Sequence, residues 1–267
     1  MLIVISPAKR LRWDVPVDGA TRPEWQREAN ILAGHVRQLP LKGLKALMDL
    51  SDDLARLNRD RFRDMTPEST AENSRPAALC FDGDTYQGLD AGSLDDEAMN
   101  WAQERLRILS GLYGLLRPRD AIQPYRLEMG SRLKTRRGRS LYEFWGSVPA
   151  EALRRQAETL GTDVLLNCAS QEYFGAVDPT ALGLRVITPQ FLEDKPGGPR
   201  MVSFFAKRAR GAMARFVIDR RLTDPAGLSD FDLGGYRYDA ARSEPDRPVF
   251  VRAAEAGEAA DAGDAAA

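Results

Sequence analysis

Ser6, Lys9, Gln123, Tyr125, Arg126, Glu128, Asn167, Ser170, Glu172, Tyr173, Lys207 and Arg210 fall at or just beyond the ends of predicted strands and turns. In α/β sheets this is where ligand sites collect, because parallel strands deliver their carboxyl ends to one edge. Glu128 and Glu172 offer an acid or a base, Lys9 and Lys207 a cation or an activated amine, and Arg126 and Arg210 a clamp for an anion. For an enzyme, the catalytic candidates are Lys9, Arg126, Glu128, Asn167, Glu172 and Lys207. Their cations suit a nucleotide-like or phosphorylated substrate in a polar pocket. The plainer account of most of these residues is internal hydrogen bonding and ion pairing that ties loops to the core. The sequence leaves both accounts open and names no reaction.

A second chemistry is phosphate binding. The stretch LRILSGLYGLLRPRDAIQPYRLEMG, Leu106 to Gly130, reads as an apolar helix broken at Gly111 and Gly114 and followed by Arg117 and Arg119. Around it stand Arg105, Arg107, Arg126, Arg132, Lys134, Arg136, Arg137 and Arg139, with Glu104, Asp120 and Glu128 as the nearby acids. A second cluster holds Arg200, Lys207, Arg208, Arg210, Arg215, Arg220 and Arg221 against Asp219. The whole chain has 267 residues and a net charge of −1, so no global field draws it to a polyanion. The acidic stretch from Asp82 to Glu97 and an acidic C-terminus balance the basic clusters. A phosphate-binding face requires this kind of local asymmetry, although a solvated helix face accounts for most charge runs.

Other chemistries are poorly served. The single histidine, His35, lies on a predicted amphipathic helix with no partner nearby, which reads as a helix-surface histidine. Cys80 and Cys168 have no CxxC spacing and read as buried thiols. No HxH, ExxH or cysteine quartet suggests a metal site. The opening MLIVI is too short for a signal-peptide core or a membrane span, so the expected location is the cytoplasm.

The elements that must position these groups alternate in type. LIVI (Leu2 to Ile5), AALCF (Ala77 to Phe81), VLLNCAS (Val164 to Ser170), LRVIT (Leu184 to Thr188) and MVSFF (Met201 to Phe205) read as strands. Tyr236 to Tyr238 and Val249 to Val251 read as a late hairpin, and 189–198 as a connection. Helices are predicted over 23–36, 44–62 with a cap at Ser51-Asp52-Asp53, 95–116, 140–148, 149–160 and 207–221. The class is mixed α and β, expected as one compact domain over 1–252. Residues 253–267 carry only small and acidic side chains, and read as a disordered tail.

Taken together, LIVISPAK, LSGLYGLLRPRDAIQPYRLEMG, LYEFWG, LLNCASQEYF, SFFAKRARGAMARFVIDRRL and GYRYD resemble the YaaA family of peroxide-stress proteins, in order from residue 1 to about 251. The resemblance implies a single mixed α/β domain of unusual topology with a helix-hairpin-helix element and a basic cleft. It also implies binding to double-stranded DNA and a lowering of free intracellular iron during hydrogen peroxide stress; the expected partner here is duplex DNA, bent or distorted forms included. Leu109 to Gly114 approximates the hairpin, with Leu112 and Tyr113 between glycines that the usual pattern separates by one residue. In such a hairpin, glycines let backbone amides approach a phosphate. The expected DNA contacts are Gly111, Gly114, Arg117, Arg119, Lys207, Arg208, Arg210 and Arg215, made to phosphates with little sequence preference. The chain is expected to act as a monomer without cofactor, resident metal or membrane partner, and to affect iron indirectly.

Overall fold

Leu2–Ile5 (β1) is a strand as expected, and its four side chains are wholly buried. In the computed structural model, which describes residues 1–253, β1 is the centre of a five-stranded sheet. The other members are β2 (Leu106–Ser110), β3 (Gly114–Leu116), β4 (Val164–Cys168) and β5 (Arg185–Ile187), in the order β3-β2-β1-β4-β5. β1 runs parallel to β2, with Ile3 opposite Leu106, and parallel to β4, with Ile5 opposite Cys168. β5 extends the parallel set, and β3 closes the far edge antiparallel. Parallel strands covered on both faces need continuous apolar runs, which explains why LIVI and VLL lack alternation. Strand order reverses at β1, whose neighbours β2 and β4 lie on opposite sides. A crevice therefore opens at the carboxyl ends of these strands.

Helices α1 (Gln26–Arg37), α2 (Leu41–Met48) and α3 (Asp52–Asp64) follow the predicted pattern. Ser51 caps α3, its hydroxyl accepting from the Leu54 amide, and Asp52 and Asp53 occupy the first turn, where the helix dipole favours them. α4 (Asp84–Leu89) and α5 (Asp96–Arg105) precede β2, while α6 (Leu141–Trp145) and α7 (Val148–Leu160) precede β4. The long helix α8 (Ser203–Asp219) lies directly on α4. Glycine makes that approach possible: a β-carbon at Gly211 would sit 1.7 Å from the Thr85 carbonyl oxygen, and one at Gly88 2.0 Å from that of Arg208. The two backbones touch, which fixes α8 over the end of β1.

A second sheet, β6-β8-β7, is built from β6 (Gln190–Glu193), β7 (Tyr236–Tyr238) and β8 (Val249–Arg252). β7 and β8 pair antiparallel as the sequence suggests, with Tyr238 opposite Phe250. Behind them Phe191, Phe231, Tyr236 and Phe250 pack ring against ring. One apolar cluster runs through both sheets from Met1 to Phe250.

Four expectations are corrected. The predicted helix over 95–116 ends at Arg105, and the rest is the β2–β3 hairpin, Ser110 opposite Gly114. The glycine bend therefore joins two strands, and no helix-hairpin-helix stands at 109–114. Short apolar runs carry no period that separates a buried strand from a helix, and pairing with β1 decides this one. The predicted strand at Ala77 to Phe81 is instead a helical turn, Ala77–Cys80, leading into a two-residue ladder. Met201 to Phe205 is not a strand, because α8 starts at Ser203. The connection over 189–198 contains β6, which pairs parallel with β8. The tail expectation lies, apart from Ala253, outside the described residues. Among the described residues, no helix is long and apolar enough to cross a membrane.

Candidate functional site

The crevice at the carboxyl ends of β1 and β4 is held together by two serines. Ser6 follows β1 and Ser170 follows β4; the Ser170 amide donates to Ser6 Oγ at 2.9 Å, and the hydroxyls lie 3.3 Å apart. Tyr86, on α4, donates its hydroxyl to the Ser6 carbonyl at 3.1 Å. Beyond them opens a cavity of about 650 Å³, within the size range of small-molecule sites. Of the polar residues singled out in the sequence, the structure brings Ser6, Lys9, Ser170, Glu172, Tyr173, Lys207 and Arg210 to this one cavity. Arg10, Asp82, Asp84 and Phe204 line it too, although none of them was among the polar candidates at strand ends.

Charges at the rim are partly matched. Lys9 Nζ lies 3.1 Å from Glu128, whose other oxygen accepts from the Arg126 guanidinium at 2.8 Å. Arg10 lies 3.6 Å from Asp82. Glu172 accepts from the Gly130 amide at 2.9 Å, and its carbonyl accepts from the Tyr142 hydroxyl at 2.8 Å. Lys207 and Arg210, from α8, have no carboxylate within ion-pair distance among the described residues. Burial lowers the Arg210 pKa, so its charge is held at a cost. Cys168, on the cavity floor, is pushed up to about 12 by burial and stays a neutral thiol. Burial likewise raises the phenols of Tyr86 and Tyr173, which remain protonated donors.

Other candidates serve the fold. Asn167 donates to Thr188 Oγ1 at 3.3 Å and accepts from the Ala169 amide at 3.0 Å, shaping the end of β4 beneath the cavity. Buried Gln123 bonds both the amide and the carbonyl of Thr66. Tyr125 is buried against Ser110 at 2.6 Å.

The expected DNA-contacting glycines are interior, which corrects that assignment. A β-carbon on Gly111 would lie 2.2 Å from the Leu127 carbonyl oxygen, and one on Gly114 would lie 2.7 Å from the Trp145 ring. Trp145 Nε1 donates to the Gly111 carbonyl at 3.0 Å, so the bend packs around an indole and offers no amide to solvent. Arg117 bonds Asp120 at 2.9 Å, Arg119 approaches Asp96 and Asn100, and Arg215 holds Asp219 at 2.8 Å and Ser93 at 2.6 Å. Arg208 is half-buried on α8.

A dense run of exposed cations lies at 132–139, within the first basic cluster of the sequence and outside the expected DNA contacts. Arg132, Lys134, Arg136, Arg137 and Arg139 are all exposed around a turn closed by the Thr135 amide on the Gly138 carbonyl at 2.7 Å. Arg137 approaches Glu28 at 3.6 Å and stacks on Phe144. The side chains of Arg132, Lys134, Arg136 and Arg139 have no carboxylate partner among the described residues. The signal was legible as five cations in the eight residues RLKTRRGR. Gly130 before this loop and Tyr142 after it both bond Glu172, which roots the loop at the rim of the cavity.

Comparison with known proteins places the chain among relatives of the same length. It is 66% identical to a UPF0246 protein of Ruegeria pomeroyi, over 94% of this chain and 98% of that one. It is 64% identical to one of Roseobacter denitrificans, with the same coverage, and 58% identical to one of a Jannaschia species, over 97% and 100%. The profile described as peroxide stress protein YaaA matches residues 1–242. The chain belongs to the peroxide stress protein YaaA family.

Proposed function

We propose that this member of the family binds duplex DNA through phosphates, with the Arg132–Arg139 loop as its principal grip, in the service of peroxide defence. The observation that carries the reading is the set of four exposed cations, Arg132, Lys134, Arg136 and Arg139, without carboxylate partners among the described residues of a chain of near-zero net charge. Unmatched exposed cations release counterions when they meet phosphates, which favours binding without reading bases. In this reading any lowering of free iron follows indirectly from DNA binding.

The test is duplex affinity of a variant with Arg132, Lys134, Arg136 and Arg139 all replaced by alanine. The expected result is a loss on the order of tenfold or more at moderate salt, equal for unrelated sequences, with melting unchanged. Normal duplex binding by that variant sinks the reading.

A further inference from the structure

The cavity at the β1–β4 edge has features the duplex reading does not use. Lys207 and Arg210 line it without a carboxylate partner among the described residues, and Arg210 is half-buried, with its pKa lowered by desolvation. A partly desolvated cation without a counter-charge is held at a cost, and a bound anion reduces that cost. Beside them Phe204 is 47% exposed, large and apolar, yet it lines the cavity instead of entering the core. Residues 204, 207 and 210 recur every third position on α8, so the ring and the two cations follow one side of the helix. An aromatic face with two adjacent cations matches a flat heterocycle carrying a phosphate.

Three carboxylates, Asp82, Asp84 and Glu172, line the same cavity. They repel the many phosphates of a duplex, whereas a single phosphomonoester can be met by Lys207 and Arg210 together. We infer that this cavity is a nucleotide site: a free nucleoside monophosphate places its phosphate between Lys207 and Arg210 and its base on Phe204. The site is distinct from the exposed basic loop, although the two share Glu172 as a neighbour.

The experiment is calorimetric titration of the full chain with adenosine monophosphate and, separately, with inorganic phosphate. Saturable binding of the nucleotide is expected, tighter than that of phosphate. Lys207→Ala should weaken both ligands by about tenfold, the scale of one charge-assisted contact. Phe204→Ala should weaken the nucleotide and leave phosphate unchanged. Arg210→Ala should abolish both; should it fail to fold, the two exposed positions still decide the matter. The alanine variant of the basic loop should bind the nucleotide normally, so a failed duplex reading leaves this one standing. No saturable heat with the nucleotide overturns the site, and so does unchanged nucleotide binding in both Lys207→Ala and Phe204→Ala. If Lys207→Ala loses duplex and nucleotide equally, the cavity is part of a DNA surface and the proposal of a separate site fails.

Discussion

At Gly114 the backbone takes φ +70°, and a β-carbon would press into the Trp145 ring. Gly111 has an ordinary φ, and its constraint is the closeness of the Leu127 carbonyl. Alanine at Gly114 combines left-handed strain with overpacking, and should cost about 2–4 kcal/mol. Since neither glycine reaches the surface, duplex affinity should not change in any variant that still folds. Melting and duplex titration on the same Gly114→Ala protein check this, and a joint loss would restore the hairpin-contact reading. The thiols give a second residue-scale prediction. Burial raises both Cys80 and Cys168 to about 12, against about 9 in the unfolded chain. The neutral form is favoured by the fold, so the folded state holds protons that the unfolded state releases. That stability is complete below pH 9 and is lost as pH rises from 9 toward 12. A thiol reagent at neutral pH should therefore label neither cysteine until the protein unfolds, and melting temperature should fall as pH passes 9. Rapid labelling of the native protein at pH 7 would contradict the burial argument.

At the scale of elements, the second sheet depends on a buried ion pair. Arg252 Nε, on β8, donates to Glu193 on β6 at 2.8 Å; Tyr236, on β7, donates to the same carboxylate, and the guanidinium lies over Phe205. All three strands meet at one charge. Removing one partner leaves the other buried and uncompensated, so Arg252→Met should cost about 3–5 kcal/mol. Arg252→Met with Glu193→Gln should cost less than the sum of the single changes, because the orphaned carboxylate is gone. Denaturant unfolding of the three variants measures this; strict additivity would show that the pair is not coupled. None of this network was legible in the sequence, where Glu193 sat in an expected connection and Arg252 beside an expected tail. Elements with a strong local code were legible: LIVI by its apolar run, α3 by its serine cap, and the β7–β8 hairpin by its aromatic and β-branched pattern. Elements defined by partners were not. LRILS is helix-like in composition and becomes a strand because β1 lies beside it, and MVSFF becomes a helix start because α8 must lie on α4. The candidate site divides the same way. The carboxyl ends of β1 and β4 were readable, and they carry Ser6, Ser170 and Glu172 to one cavity. Phe204 and Asp84 join the cavity through the packing of α8 on α4, where Gly88 faces Arg208 and Gly211 faces Thr85, and no local pattern encodes that approach.

For the molecule as a whole, basic charge is scattered over the surface, and its densest exposed run is the Arg132–Arg139 loop. Arg117 neutralises the buried Asp120, Arg119 and Arg215 pair with the surface acids Asp96 and Asp219, Lys207 and Arg210 face a cavity, and the cations of the Arg132–Arg139 turn face solvent. With a net charge of −1 there is no global attraction to a polyanion, so duplex affinity must depend on this local set. Each phosphate neutralised contributes about 0.9 to the slope of log affinity against log salt on duplex DNA. Replacing Arg132, Lys134, Arg136 and Arg139 by alanine should make the slope shallower by about 3 to 4, if each meets one phosphate. Replacing Arg117 and Arg119 should change it by less than one contact per residue, because their charges are already matched by Asp120 and Asp96. Titrations across a salt series, repeated on two unrelated duplexes, read both quantities at once. An unaltered slope in the loop variant, or a larger change in the Arg117 and Arg119 variant, would move the DNA surface away from the loop and back to the glycine bend's rim.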